Sequence, residues 1–330
     1  MGEPAGIGPE VAVAAYTALG GRIGARKLLL VGDAGVFRAC GDVPLDAVVP
    51  VKASAKRVPG KPDAGNCDAT VEAISLAVAM AMKGEASGLV TAPINKAVLM
   101  QTGFRFPGHT DYLAHLTGSP RAVMMLASDA LRVVPLTVHV PLADVPRLID
   151  QRGIIETAEI TLAALKRDFG IARPRLAIAG LNPHAGEDGE LGRQEADIIA
   201  PAITELTRRG HAVLGPFPSD TMFHAEARKS YDAALCMYHD QALIPIKTLS
   251  FWDGVNVTLG LPIVRTSPDH GTAFEIAGHG LADPRSMIAA VRLAAKMADA
   301  RALAGKVGPI ATASIGGFPS ASATDKNAQS

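Results

Sequence analysis

Cysteine is scarce. Cys40, Cys67 and Cys236 are the only three in 330 residues, and no two form a C-x-x-C pair. An odd, sparse set argues against a disulfide framework and fits reduced, buried thiols in the cytoplasm. Net charge is absent: Lys plus Arg number 32, and so do Asp plus Glu. A neutral chain carries no electrostatic footprint for nucleic acid or an anionic membrane, so any anion site must be local. No run of eighteen apolar residues occurs, and no membrane span is expected. No basic stretch leading into an apolar run opens the chain, and no secretory leader is expected. A repeat of fixed period is also missing.

What is present is ample apolar sequence. Hydrophobic residues make up 48 % and charged residues 19 %, enough for two domains or one large α/β domain. Short runs rich in Val, Leu and Ile predict strands at Lys27 to Gly32, Gly88 to Thr91, Ala122 to Ala127, Arg132 to His139, Arg175 to Gly180, Ala233 to Met237 and Val255 to Leu259. Most lack strict alternation, as strands covered on both faces do. Helical periodicity runs through Asp68 to Lys83, Asp144 to Phe169, Gly192 to Arg209 and Asp283 to Ala304, with Asp144 placed to cap its helix. This alternation predicts an α/β fold with a mainly parallel sheet. The tail from about Ala311 to Ser330 is small and polar and is expected to be disordered. The opening Gly2-Glu3-Pro4-Ala5-Gly6-Ile7-Gly8-Pro9-Glu10 reads as a glycine-rich turn entering a helix, with Pro9 in the first turn.

Several segments are denser in polar residues than a core would select. Pro107-Gly108-His109-Thr110-Asp111 can present donors to an anion at a helix start, although on pattern alone a plain N-cap by Thr110 is the more ordinary reading. The charged, glycine-rich stretch Leu181 to Gly189 follows a predicted strand, where ligands of open α/β sheets gather; a solvated turn is the alternative. His139, His184 and His239 each follow the end of a strand, 45 and 55 residues apart. One such histidine is ordinarily a core residue. Three in the same topological position point to a borderline divalent metal. Lys247 and Arg265 stand near further strand ends and could hold a phosphate or carboxylate, Arg in the bidentate manner. Asp269-His270-Gly271-Thr272-Ala273, continuing to Pro284, resembles the loop of isocitrate and isopropylmalate dehydrogenases that lies against the adenosine half of NAD. No G-x-G-x-x-G follows a strand, which excludes a Rossmann site.

Taken together, Gly-Glu-Pro-Ala-Gly-Ile-Gly-Pro-Glu, Pro-Gly-His-Thr, Gly-Leu-Asn-Pro-His-Ala-Gly-Glu, Tyr-His-Asp-Gln and Arg-Thr-Ser-Pro-Asp-His-Gly-Thr-Ala resemble, in order, the 4-hydroxythreonine-4-phosphate dehydrogenase family of vitamin B6 synthesis. The resemblance spans Gly2 to about Ala300. It implies a two-domain isopropylmalate dehydrogenase-like fold: one domain from residues 1–104 and 253–310, the other from 105–252. It implies a homodimer with the site in the interdomain cleft near the subunit boundary, one histidine ligand coming from the partner. It also implies NAD or NADP, and one divalent ion (zinc, magnesium or cobalt) on His139, His184 and His239. Substrate contacts are implied for His109, Thr110, Lys247, Asn256 and Arg265, and a polar site position for Asp220. The proton acceptor is either Lys247 or Asp220. Relatives carry a short strand ahead of the glycine turn, and only Met1 precedes it here. A weakened sheet is therefore expected, with the true start upstream or the chain shortened.

The resemblance leaves other activities open. Similar proteins oxidise threonate or erythronate 4-phosphates, or a cis-dihydrodiol dicarboxylate. A phosphate acyltransferase of related fold would need coenzyme A and no metal. A non-catalytic metabolite-binding protein would bind without turnover.

Overall fold

The computed structural model describes residues 1–306; the tail expected to be disordered lies outside the described residues. Its strands are the hairpin β1 (Arg22–Ile23) and β2 (Arg26–Lys27), the parallel pair β3 (Leu30–Gly32) and β4 (Val48–Pro50), and eight that form the main sheet. Those eight are β5 (Leu89–Val90), β6 (Val123–Ala127), β7 (Arg132–Thr137), β8 (Arg175–Ala179), β9 (Ala212–Phe217), β10 (Ala233–Tyr238), β11 (Val255–Leu259) and β12 (Arg265–Pro268). The helices are α1 (Gly8–Ala18), α2 (Ala34–Arg38), α3 (Cys67–Met82), α4 (Lys96–Gln101), α5 (His109–Thr117), α6 (Val145–Leu148), α7 (Gln151–Asp168), α8 (Ala200–Arg208), α9 (His239–Leu249) and α10 (Arg285–Lys306). No helix among the described residues is long and apolar enough to cross a membrane.

The main sheet runs β5-β12-β11-β6-β7-β10-β8-β9. Pairing is parallel along β7, β10, β8 and β9 and between β12 and β5, and antiparallel where β6 and β11 intervene. The α/β class and the mainly parallel sheet thus hold. Both faces are covered, as the apolar runs require. Alternate residues of one strand enter different cores: Ala233, Leu235 and Met237 pack with Ile154, Leu165 and Leu206 of α7 and α8, whereas Ala234 and Cys236 pack with Ala242 and Ile246 of α9.

Some boundaries differ from expectation. The periodicity from Asp144 to Phe169 is broken at extended Ile149, and the cap of the long helix is Asp150, whose carboxylate accepts from Gly153 N at 2.5 Å. Asp144 caps nothing through its side chain, because a short 3-10 turn leads into α6. The stretch from Gly192 opens with a π turn at Glu195–Ile199 before α8. Pairs β3–β4 and β5–β12 are not hydrogen-bonded to each other, and a cavity of about 430 Å³ lies between them, lined by Leu30, Val31, Ile74, Ala77 and Leu89. The amine of Met1 donates to Val31 O at its edge, and burial lowers the amine's pKa to about 5.

The end of α7 is fastened to α10 by one charge cluster. Asp168, 1 % exposed in its side chain, accepts from Arg167 at 2.7 Å and from Arg301 at 2.6 Å, and Arg301 also donates to Pro262 O. Burial alone would raise the Asp168 carboxyl, but the two guanidinium groups outweigh it and hold it below the ordinary carboxylate range. Asp168→Ala is expected to cost ~3 kcal/mol in urea unfolding, because Arg301 is left without its counter-charge. The carboxyl is depressed in the folded state, so its contribution is full above the unfolded pKa and fades as pH falls toward the folded one. An unchanged urea midpoint would show that the cluster is not the fastening.

Candidate active site

The ends of three adjacent parallel strands carry the three histidines. Tyr238 of β10 lies opposite Thr137 of β7, and Leu235 lies opposite Ile178 of β8. His139 follows β7 by two residues, His239 opens α9 directly after β10, and His184 lies in the turn after β8. The His139 and His239 rings are 5.7 Å apart, centre to centre. His239 Nδ1 is 2.7 Å from Asp240 Oδ1. A carboxylate only accepts, so the proton of this bond sits on Nδ1 and leaves Nε2 as the ring nitrogen that would face a metal, the arrangement typical of a metal-binding imidazole. His184 is exposed, and among the described residues no group of three His, Cys, Asp or Glu side chains converges within one chain. The donor chemistry suits a borderline divalent ion, while one chain brings together two of the three imidazoles.

Backbone conformation sets these loops apart. Among the described residues six that are not glycine have positive φ: His139, His184, Ala185, Glu187, Asp188 and Ala273. All six lie in segments selected above for their chemistry. Such conformations cost about 1–3 kcal/mol each and persist where the surroundings enforce them. With Gly186, residues 184–188 form an unbroken left-handed run.

The second part of the site is a buried cation with no counter-ion. Arg265, at the start of β12, is 3 % exposed, and its guanidinium donates to Thr91 Oγ1 at 2.6 Å and to Thr258 Oγ1 at 2.8 Å. No carboxylate pairs with it among the described residues, and burial pushes its pKa down to about 10. His109 opens α5 after Gly108, which is the N-cap; Thr110 is therefore not the cap. Burial, with Arg265 and Lys96 adding like-charge repulsion, holds the His109 imidazole well below its ordinary pKa. It is neutral at physiological pH, and among the described residues its Nε2 is buried without a partner. Asn256 Oδ1 on β11 and His270 Nε2 are buried and unpartnered too. Three sequence-selected residues thus each keep one buried polar atom unsatisfied, a state normally relieved by a ligand or water.

The loop after β12 is held from two sides. Lys247 Nζ meets Asp269 Oδ2 at 2.7 Å, so a predicted substrate contact and a predicted cofactor contact form an ion pair. Thr272 O accepts from Ile7 N, and a Cβ on Gly6 would lie 2.7 Å from that oxygen. The glycine-rich opening therefore serves close backbone approach to this loop. Asp220 is exposed in the turn after β9, with no side-chain partner among the described residues. Sequence reasoning missed Thr91 and Thr258, which hold Arg265. It also missed Lys96, whose charge acts on both His109 and His139. Asn95, which caps α4 by accepting from Val98 N just past β5, was the available signal.

A family model described as pyridoxal phosphate biosynthetic protein PdxA matches residues 31–294. A 4-hydroxythreonine-4-phosphate dehydrogenase of Roseobacter denitrificans is 55 % identical over 314 residues, covering 90 % of this chain and 95 % of that protein. One of Paracoccus denitrificans is 53 % identical, covering 91 % and 97 %. Among solved structures, a 4-hydroxythreonine-4-phosphate dehydrogenase of Klebsiella pneumoniae superposes with a TM-score of 0.81 at 37 % identity, over 90 % of this chain and 98 % of that one. A terephthalate 1,2-cis-dihydrodiol dehydrogenase of Burkholderia xenovorans gives 0.64 at 31 % identity, over 89 % and 96 %.

Proposed function

Since the chain belongs to the PdxA family of 4-hydroxythreonine-4-phosphate dehydrogenases, we propose that it oxidises 4-phosphooxy-L-threonine with NAD or NADP. The product, 2-amino-3-oxo-4-phosphooxybutanoate, then loses CO2 to give 3-amino-2-oxopropyl phosphate, in pyridoxal phosphate synthesis. The observation that carries the reading is Arg265: a buried guanidinium without a counter-ion, beside a neutral His109 with a free ring nitrogen. That pair suits a small substrate with an anionic end.

The chain's own groups can bind, orient and move protons. Arg265 offers a fork to phosphate or carboxylate, and Lys96 adds a cation at the same end. His109 Nε2 and Asn256 Oδ1 are free to fix substrate hydroxyl or amine groups, with Thr110 alongside. The C3 hydroxyl proton needs an acceptor. Lys247 serves only on leaving its pair with Asp269, and Asp220 is the alternative. A nicotinamide cofactor would supply the acceptor for the C3 hydride, and His139, His184 and His239 would hold a divalent ion (zinc, magnesium or cobalt) that would supply Lewis-acid polarisation. Asp269 to Ala273 would hold the cofactor. Once C3 is a ketone, the carboxylate stands β to it, and loss of CO2 needs no other cofactor.

We read the active protein as a cytoplasmic homodimer. Exposed His184 and an exposed apolar cluster of Ile244, Leu249, Phe251 and Trp252 support a partner that completes the metal set. We also read residues 1–104 with 253–310 as the cofactor-side domain and 105–252 as the central one. Purified, metal-loaded protein given NAD and 4-phosphooxy-L-threonine is expected to form NADH at a rate that a chelator abolishes. The dihydrodiol dehydrogenase relative makes the main alternative concrete. Turnover of a dihydrodiol dicarboxylate, with none of the phosphorylated substrate, would replace the proposed reading.

A further inference from the structure

We infer that Glu195 and Gln241 are positioning residues that set the three strand-end histidines relative to one another. This rests on the proposed metal role of those histidines.

Glu195 is a carboxylate 5 % exposed, on the π turn before α8, and among the described residues it pairs with no cation. It is spent entirely on the turn that carries His184. Its Oε1 accepts from Leu181 N and from Asn182 N, both at 2.7 Å, and its Oε2 accepts from Asn182 Nδ2 at 2.9 Å. The turn wraps closely around it: a Cβ on Gly186 would lie 2.8 Å from Oε2, and one on Gly180 would lie 3.1 Å from Oε1. The left-handed run 184–188 begins two residues after Asn182. The run closes only short turns of its own, Ala185 N donating to Asn182 O and Glu190 N to Glu187 O, so the grip of Glu195 on Leu181 and Asn182 sets the base from which His184 is presented.

Gln241 ties that base to the next strand. It is 7 % exposed, donates from Nε2 to Gly180 O at 2.7 Å, and accepts Met237 N on Oε1 at 2.6 Å. Gly180 leads into the His184 turn, and Met237 lies two residues before His239. Thr137 Oγ1 donates to Met237 O at 2.8 Å, and Thr137 lies two residues before His139. Side-chain hydrogen bonds therefore join the ends of β7, β10 and β8 in series, each just before its histidine. Buried polar groups so fully satisfied specify one arrangement, and outer partners of metal ligands act by orienting them.

The test is cobalt(II) and zinc titration of the purified protein in its native oligomeric state, against a competing chromophoric chelator. Glu195→Ala, Glu195→Gln and Gln241→Leu are compared with His184→Ala. Glu195→Ala and Gln241→Leu are expected to bind metal 10–100-fold more weakly, with an altered cobalt absorption band and unchanged protection of the protein by inorganic phosphate. Glu195→Gln keeps one acceptor oxygen and should lose less. It also serves as the informative variant if the alanine form does not fold. Adding Glu195→Ala to His184→Ala should weaken binding no further, because the first acts through the second. Wild-type affinity and an unchanged cobalt band in Glu195→Ala and Glu195→Gln would overturn the inference alone. A wild-type protein that takes up no stoichiometric metal would overturn the metal reading and the inference with it.

Discussion

Arg265→Met is expected to lower kcat/KM roughly 10²–10⁴-fold while leaving the ligand-free protein as stable as before, or more so. Among the described residues the guanidinium is buried with two threonine hydroxyls and no carboxylate. Two charge-assisted hydrogen bonds to an anionic group contribute about 1.5–3 kcal/mol each, which converts to that range of rate. Stability moves the other way. Arg265 is a base whose pKa is pushed down to about 10 by burial. Keeping it charged in the folded state then opposes folding by roughly 3 kcal/mol. For a base depressed in this way the penalty holds at every pH below the folded value and fades as pH rises beyond it. An anion that binds the guanidinium offsets the penalty, so inorganic phosphate should raise the Tm of the wild type but not of the variant. Arg265→Lys keeps a charge and loses the fork, and it should recover only part of the activity. A steep fall in Tm with kcat/KM intact would mean that Arg265 is a structural residue.

Activity lost on removing a destabilising group is the usual signature of a site. The buried, unpartnered atoms of His109, Asn256 and His270 follow the same logic. So do the left-handed residues His139, His184 and Ala273. Each departs from what packing alone would select, and all but Asn256, which only the family resemblance pointed to, fall in segments chosen earlier for their chemistry.

That coincidence explains which features were legible. Strands β6, β8, β10 and β11 were readable because they are buried on both faces, and their runs of Val, Leu, Ile and Ala have no other use. Strand β12 was not, although all four residues, Arg-Thr-Ser-Pro, are buried. Its side chains serve particular partners: Arg265 meets Thr91 and Thr258, and Thr266 donates to Ala290 O. Strands β4 and β9 escaped because an edge strand tolerates Pro and Gly that look like turn signals. The break at Ile149 left the apolar period intact on both sides, so pattern alone could not locate it. The histidines were legible because strand ends can be read one at a time. The hydrogen bonds that join those ends were not, because Glu195 reaches backbone 13 and 14 residues away and Gln241 reaches Gly180 O across 61 residues.

His239→Ala is expected to abolish stoichiometric metal binding and to lower kcat on the order of 10³-fold, since a bound divalent ion supplies several kcal/mol to the oxidation of an alcohol. The ring is held in the way that the proposed role needs. Asp240 accepts the Nδ1 proton at 2.7 Å, and the His139 and His239 rings stand 5.7 Å apart, centre to centre. Asp240→Asn keeps the ring but can present an amide N–H to Nδ1, which favours the other tautomer. Its expected loss is about 10–100-fold in metal affinity. Arg265 lies apart on β12, so phosphate should still raise the Tm of both variants, which separates loss of metal from loss of fold. Full metal content and full turnover in His239→Ala would remove His239 from the site and leave the neighbouring strand ends to account for the chemistry.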